Sequence, residues 1–291
     1  MESVDPDLAR LLADNAELGQ GVTNFCDEVR VWTRGLPEDV PVVVGDECFG
    51  WNDVPLTSPR DLGESIYLHG GRALAGLRPV LGREATRGLA GALDSLVETA
   101  VAPVLTGRGG DDLHDVKDEL YFCERLRNGI MPWRERFAGA QREVVNPFLD
   151  SQVLDLVARL SPEQRRGKAL YRAAIREAAP EAFTVPFASQ GGYSPDWRHL
   201  LLSDPAAVEG ALTGPSHLDP LIPAEAIAAL SRRVATTRSR LRARISHLRA
   251  AAWNRPGAVH AVATRLPWVT DDVTLLRRLL VLRRALAPAP G

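Results

Sequence analysis

Cysteine is scarce: Cys26, Cys48 and Cys123 are the three in 291 residues, an odd number without metal-ligand spacing. This excludes a disulfide framework and a cysteine zinc site, and it fits a reducing compartment. The start, Met1-Glu2-Ser3-Val4-Asp5, lacks the positive region and apolar core of a signal peptide, and no stretch approaches the roughly 18 apolar residues of a membrane span. A cytoplasmic protein is expected, with no membrane among its partners. Acids are nearly missing from the last fifth, where residues 231–291 carry 13 arginines against Asp271 and Asp272. The front is the reverse, with 14 acidic and 4 basic residues in positions 1–70, so the net charge of -2 conceals a gradient.

Strand signal is the other scarcity. The stretch Val42-Val43-Val44 is β-branched throughout, as suits a strand buried on both faces, and Gly45 permits a turn to end it. A strand over 41–45 is the one convincing strand; the rest reads as helices between Gly/Pro loops. The fold class is therefore mostly α. One strand cannot satisfy its own backbone groups, so further strands are either hidden in the chain or supplied by a partner.

What is present is mainly helical periodicity. Helices are expected over 6–20, 22–34, 61–80, 84–104 and 114–139 from apolar residues three and four apart. Asp150 is placed to cap a helix over 151–160, and Ser161-Pro162-Glu163 starts another that runs to Ala178 and carries Lys168. The loop Gly107 to Asp112 reads as a linker, having no preceding strand and no Gly-Lys-Ser/Thr. Arg125 and Arg127 can clamp an anion or simply pair with neighbours such as Glu124. The seven arginines Arg232, Arg233, Arg238, Arg240, Arg242, Arg244 and Arg249 fall within 18 residues that hold no acid. Such a face suits nucleic acid, an anionic membrane or an acidic protein. Because the aromatic interleaving of nucleic-acid stacking is missing, nucleic acid is not an expected partner, and the favoured reading is cover for the chain's own acidic front. Leu275 to Leu286, with its paired leucines and paired arginines, reads as a docking helix.

The strand runs straight into Gly45-Asp46-Glu47-Cys48-Phe49-Gly50-Trp51. Paired carboxylates at a strand's carboxyl end are a candidate site for a metal ion or a magnesium-bound phosphate, the plain alternative being a solvated acidic turn. This stretch resembles the Gly-x-Asp-Glu-Leu-Phe-Gly-Gly-Tyr signature of the asparagine synthetase family, in its ATP-dependent synthetase domain. Pro147-Phe148-Leu149-Asp150 is similar to that family's Arg-x-Pro-Phe-Leu-Asp signature, and the segment from Leu160 to Arg172, with Lys168 and Leu170-Tyr171-Arg172, is similar to the family segment that follows it. The order and spacing of the three carry the resemblance.

The resemblance implies the helical second half of an α/β, adenine nucleotide alpha hydrolase-like synthetase domain, with at most one or two short parallel strands. It implies a partial synthetase domain over 1–200 and a basic helical extension over 201–291 packed on it. The implied activity is ATP-dependent amide formation by carboxylate adenylation, with ATP and Mg2+ as cofactors and a small-molecule or peptide carboxylate as substrate. On the same resemblance Gly45, Asp46 and Lys168 serve the nucleotide, Asp46 is the magnesium ligand, Glu47 is the catalytic carboxylate that orients substrate, and Lys168 is a cation standing behind the site. The Ser-Gly-Gly-x-Asp-Ser pyrophosphate loop and the glutaminase domain are expected from a partner chain. Val145 stands where the family has arginine, and Ala188-Ser189-Gln190-Gly191-Gly192-Tyr193 stands where it has a phosphate-holding lysine. These departures keep open a second expectation, a non-catalytic scaffold or binding subunit.

Overall fold

The computed structural model describes residues 7–17, 37, 39–45, 56, 62, 74, 76–107, 112–137, 142–165, 168–184, 196–253 and 270–288. Of these, 77% are helical, and the described strands form one short parallel pair, so the fold is mostly α. In chain order the elements are α1 (Leu8–Glu17), β1 (Val42–Val43), α2 (Arg78–Leu81), α3 (Arg83–Gly107), α4 (Leu113–Leu120), a π-helix (Tyr121–Ile130), α5 (Met131–Phe137) and β2 (Val144–Val145). After a 3-10 turn at Pro147–Leu149 come α6 (Ser151–Ala158), α7 (Pro162–Arg165), α8 (Ala169–Ala178), a second 3-10 turn at Pro180–Phe183, α9 (Trp197–Ser203), α10 (Pro205–Leu212), α11 (Ala224–Val234), α12 (Thr237–Trp253) and α13 (Asp272–Ala285).

Side-chain acceptors start many of these helices. Asp112, Asp150, Asp196, Asp204 and Asp271 each accept a hydrogen bond from a backbone N–H of the first turn they precede. A short carboxylate in extended backbone satisfies a donor that the helix cannot satisfy itself. The predicted cap at Asp150 is among them, accepting from Gln152 N–H at 2.8 Å.

Three expectations change. The helix expected from Ser161 to Ala178 is broken: α7 ends at Arg165, and α8 begins after Lys168, whose φ of 58° lies in the left-handed region. A second strand, β2, pairs parallel with β1 in the register Val42↔Val144 and Val43↔Val145. Two valines behind Gln141-Arg142-Glu143 are too short a run to read as a strand, and only the pairing defines them. Third, the expected helix over 114–139 is continuous from Leu113 to Phe137 but turns π-helical at its centre. Met131 N–H bonds Leu126 C=O five residues back, and the buried pair Tyr121 and Leu126 shows the same five-residue spacing. The wider turn lets both side chains face one core, which 3.6 residues per turn would not. The expected helix over 22–34 and the loop over 189–195 lie outside the described residues.

Contacts divide the chain into two interleaved units. One comprises Met1–Leu36, Gly71–Leu93 and Tyr193–Gly291; the other comprises Pro37–Gly70 and Asp94–Gly192. The partition does not follow the change of composition near residue 200, where Leu200 and Leu201 are consecutive buried residues of α9.

The core of the first unit gathers Leu8, Leu11 and Leu12 of α1, Ile227, Leu230 and Val234 of α11, and Leu275, Leu276, Leu279 and Leu280 of α13. Helical spacing puts each set on one face, and burying each such side chain stabilises by about 1.5–3 kcal/mol. The run Leu275 to Leu286 is thus a docking helix, as its pattern predicts, and it sits at the centre of this core. Its Arg283 is buried and pairs with Asp219 while donating to Leu212 C=O at 3.2 Å, which ties the loop after α10 to α13. Arg233 and Arg242 both reach the fully buried Asp272, at 2.9 Å and 3.6 Å. The partners described for these three arginines are therefore acids of the last third, not of the acidic front.

The core of the second unit gathers Leu62, Val101, Val116, Leu120, Tyr121, Leu126 and Val157, with Leu149, Val153, Leu154 and Tyr171 packed against it. It is the unit that contains β1, β2 and Lys168.

Candidate functional site

The site is built on the parallel pair. Val42 N–H donates to Glu143 C=O at 2.8 Å and Val44 N–H to Val145 C=O at 2.9 Å, which carries the pairing to the residue before Gly45. Val42 and Val44 point into the core, whereas Val43 between them is 63% exposed. The side chain of Arg142 ties the lead-in to β1, donating to Pro37 C=O and to Val40 C=O. Pairing in this register brings the carboxyl ends of β1 and β2 level, so Gly45 emerges beside Asn146-Pro147-Phe148.

Asn146 bends the chain after β2. Its side-chain oxygen accepts from Phe148 N–H at 3.2 Å, and Leu149 N–H closes the 3-10 turn on Asn146 C=O at 3.1 Å. The turn aims Phe148 at Gly45, where a Cβ would stand 3.9 Å from Phe148 Cε2, an ordinary contact. Gly45 is not among the glycines with positive φ, so the turn it was expected to permit does not depend on left-handed backbone. Phe148 meets Tyr171 of α8 edge to face, with ring centroids 5.4 Å apart and planes at 74°. Such pairs contribute about 0.5–1.5 kcal/mol beyond their burial. Gly45 thus lies near Phe148, Phe148 packs on Tyr171, and Lys168 stands three residues before Tyr171, at the head of α8.

A second cluster joins α7, just before Lys168, to α4. Lys117 and Asp118 of α4 are both buried and 3.1 Å apart, and Arg165 of α7 pairs with Asp118 and with Asp115. Arg165 Nε also donates to Leu160 C=O at 3.3 Å. Sequence reasoning missed this network. Its trace was there in Asp115 and Asp118, three apart on one helix face, but nothing local linked them to an arginine 47 residues later. Chemically the cluster is a clamp that fixes α7 against α4 through paired, largely buried charges.

Two of the predicted site residues, Asp46 and Glu47, lie outside the described residues, as do Cys48 to Trp51. Gly45 and Lys168 are described: Gly45 ends the pairing of β1 near Phe148, and Lys168 precedes α8, which carries Tyr171. Among the described residues no group of three or more His, Cys, Asp and Glu could hold a metal ion. Of the groups described beside Gly45, the Asn146 amide oxygen accepts from Phe148 N–H, and the rings of Phe148 and Tyr171 follow it. A magnesium triphosphate needs several cationic or N–H donors and oxygen ligands, and these groups alone do not fit it.

Cys123 in the π-helix has its thiol pKa pushed up, by burial first and then by the carboxylates of Glu119 and Glu124, with Arg127 opposing. A thiol held protonated is a poor nucleophile and a poor metal ligand. No family model, curated protein or solved structure matches this chain.

Proposed function

We propose that this protein is an asparagine-synthetase-like subunit of an ATP-dependent, amide-forming enzyme that adenylates a carboxylate. One observation supports the reading: the parallel pairing of β1 with β2 brings Gly45, the described start of the acidic stretch, level with Asn146 and near Phe148, which packs on Tyr171.

On this reading Gly45 opens the acidic stretch at the end of β1, Asp46 serves magnesium and Glu47 orients the substrate. Lys168 stands behind as a cation at the head of α8. The cations and N–H donors for the triphosphate come from a partner chain with a Ser-Gly-Gly-x-Asp-Ser strand and loop. A sheet of two described strands is in keeping with that division of labour, since parallel sheets are ordinarily larger and covered on both faces.

The test is calorimetric. ATP with magnesium is titrated into this chain alone and into this chain with a neighbouring gene product that carries such a loop. The expected result is binding by the pair alone, abolished by Asp46→Ala. Absence of binding in both samples would overturn the enzyme reading and leave a scaffold that kept the fold.

A further inference from the structure

The face of α12 turned away from its own core is apolar. Leu241, Ile245 and Leu248 are 58%, 45% and 70% exposed, and their spacing of four and three residues aligns them in one stripe. At about 100° per residue the stripe lies opposite Ser239, which is 1% exposed and marks the packed side of the helix. Arg242, on one flank, is held by Asp272. Arg240 and Arg244, on the other flank, are exposed one turn apart. Single exposed leucines are ordinary, but three in register on a helix anchored in a core form a seam that no described helix covers.

We propose that this stripe docks an acidic amphipathic helix of another protein. Charge selects that occupant. Arg240 and Arg244 are exposed beside the stripe, and no acid lies between Arg232 and Arg249, so an incoming helix is favoured when glutamates or aspartates run beside its apolar face. A second copy of the chain docking through the same face would set Arg240 and Arg244 against their own equivalents, and like charges there oppose pairing. A nucleic-acid backbone would use the arginines but leave three aliphatic side chains in water, and the seam carries no aromatic ring among its described side chains on which a base could stack. A lipid surface would use both features. It favours a helix free to lie flat, whereas α12 is fixed at Asp272 and packs against α11 and α13. This surface lies in the unit that does not contain Gly45, so the inference stands apart from the proposed chemistry.

The experiment uses the full chain and three probes: a fluorescent acidic peptide with leucines three and four residues apart, its lysine-for-glutamate twin, and phosphatidylcholine vesicles containing phosphatidylglycerol. Anisotropy is expected to show binding of the acidic peptide alone, weakened at least about tenfold by Leu241→Asp with Leu248→Asp, and similarly by Arg240→Glu with Arg244→Glu. Added salt is expected to weaken it further. Leu202→Asp, at another exposed leucine, is the control and is expected to bind as the unaltered protein does. Circular dichroism confirms that each variant keeps its helices; because the altered side chains are solvent-facing, folding is expected to survive. Binding of both peptides alike, indifference to all four substitutions, capture by vesicles in place of the peptide, or self-association lost on Leu241→Asp would each overturn the proposal.

Discussion

Lys168 combines a conformational oddity with a candidate role. It is the one described non-glycine residue with positive φ, and left-handed backbone costs a side-chain-bearing residue about 1–2 kcal/mol. The break between α7 and α8 puts that cost at the segment the family resemblance singles out. Replacing Lys168 by Gly is expected to give a protein about 1 kcal/mol more stable in urea than replacing it by Ala, because only Gly relieves the strain. If the charge also serves phosphate, both variants weaken nucleotide binding by the pair equally, which separates the two roles. Cys123 offers a pH test. Its raised pKa means that folding favours the protonated thiol, so its contribution is intact below the ordinary thiol range and is lost as pH rises through the raised value. Alkylation of Cys123, mapped by mass spectrometry, is expected to set in at higher pH than for a free thiol, and an ordinary profile would refute the burial argument. Over the same range the unaltered protein is expected to lose stability relative to Cys123→Ser.

Among the elements, α4 and α7 are held together by paired, largely buried charges. Arg165 and Asp118 have side chains 10% and 8% exposed, and Lys117 is more buried still. Breaking a buried pair by removing one member typically costs 3–5 kcal/mol, because the remaining charge stays desolvated. Asp118→Ala is expected to cost about 3 kcal/mol in urea unfolding, whereas Asp115→Asn costs less, since Asp115 is 32% exposed and reaches water. The β1 and β2 pair behaves differently. With two residues in each strand, its stability comes from Val42 and Val44 in the core and not from the ladder itself. Val44→Ala is expected to destabilise by about 1–3 kcal/mol and, by loosening the exit to Gly45, to weaken any binding that depends on Asp46. A variant that lost stability while keeping full binding would detach the strand from the site.

Across the whole molecule, neither unit is a continuous stretch of chain. The first unit's core draws on Leu8, Leu11 and Leu12 at one end of the sequence and on Leu275 to Leu280 at the other. A fragment comprising residues 1–200 therefore lacks α10, α11, α12 and α13, and with them most of the surface that buries α1. Hydrogen exchange is expected to show α1 protected in the full chain and unprotected in that fragment; persistent protection would mean that α1 finds its cover elsewhere. Interleaving of this kind also means that most stabilising contacts of the first unit form late in synthesis, when α13 has emerged.

Local chemistry made the helices legible in advance. Asp150 as a cap, the leucine face of α1 and the docking pattern of Leu275 to Leu286 are written in residues close together along the chain, and short-range physics suffices to read them. The acidic stretch after Gly45 and the segments around Phe148 and Tyr171 were also visible, but as three separate resemblances. What only the tertiary structure decided is what meets what. Val144-Val145 is a strand because Val42 and Val43 pair beside it, the chain breaks into left-handed backbone at Lys168 between α7 and α8, and Arg165 finds Asp118 across 47 residues. The first and the last depend on a partner far away in sequence, and no spacing along the chain encodes which partner that is.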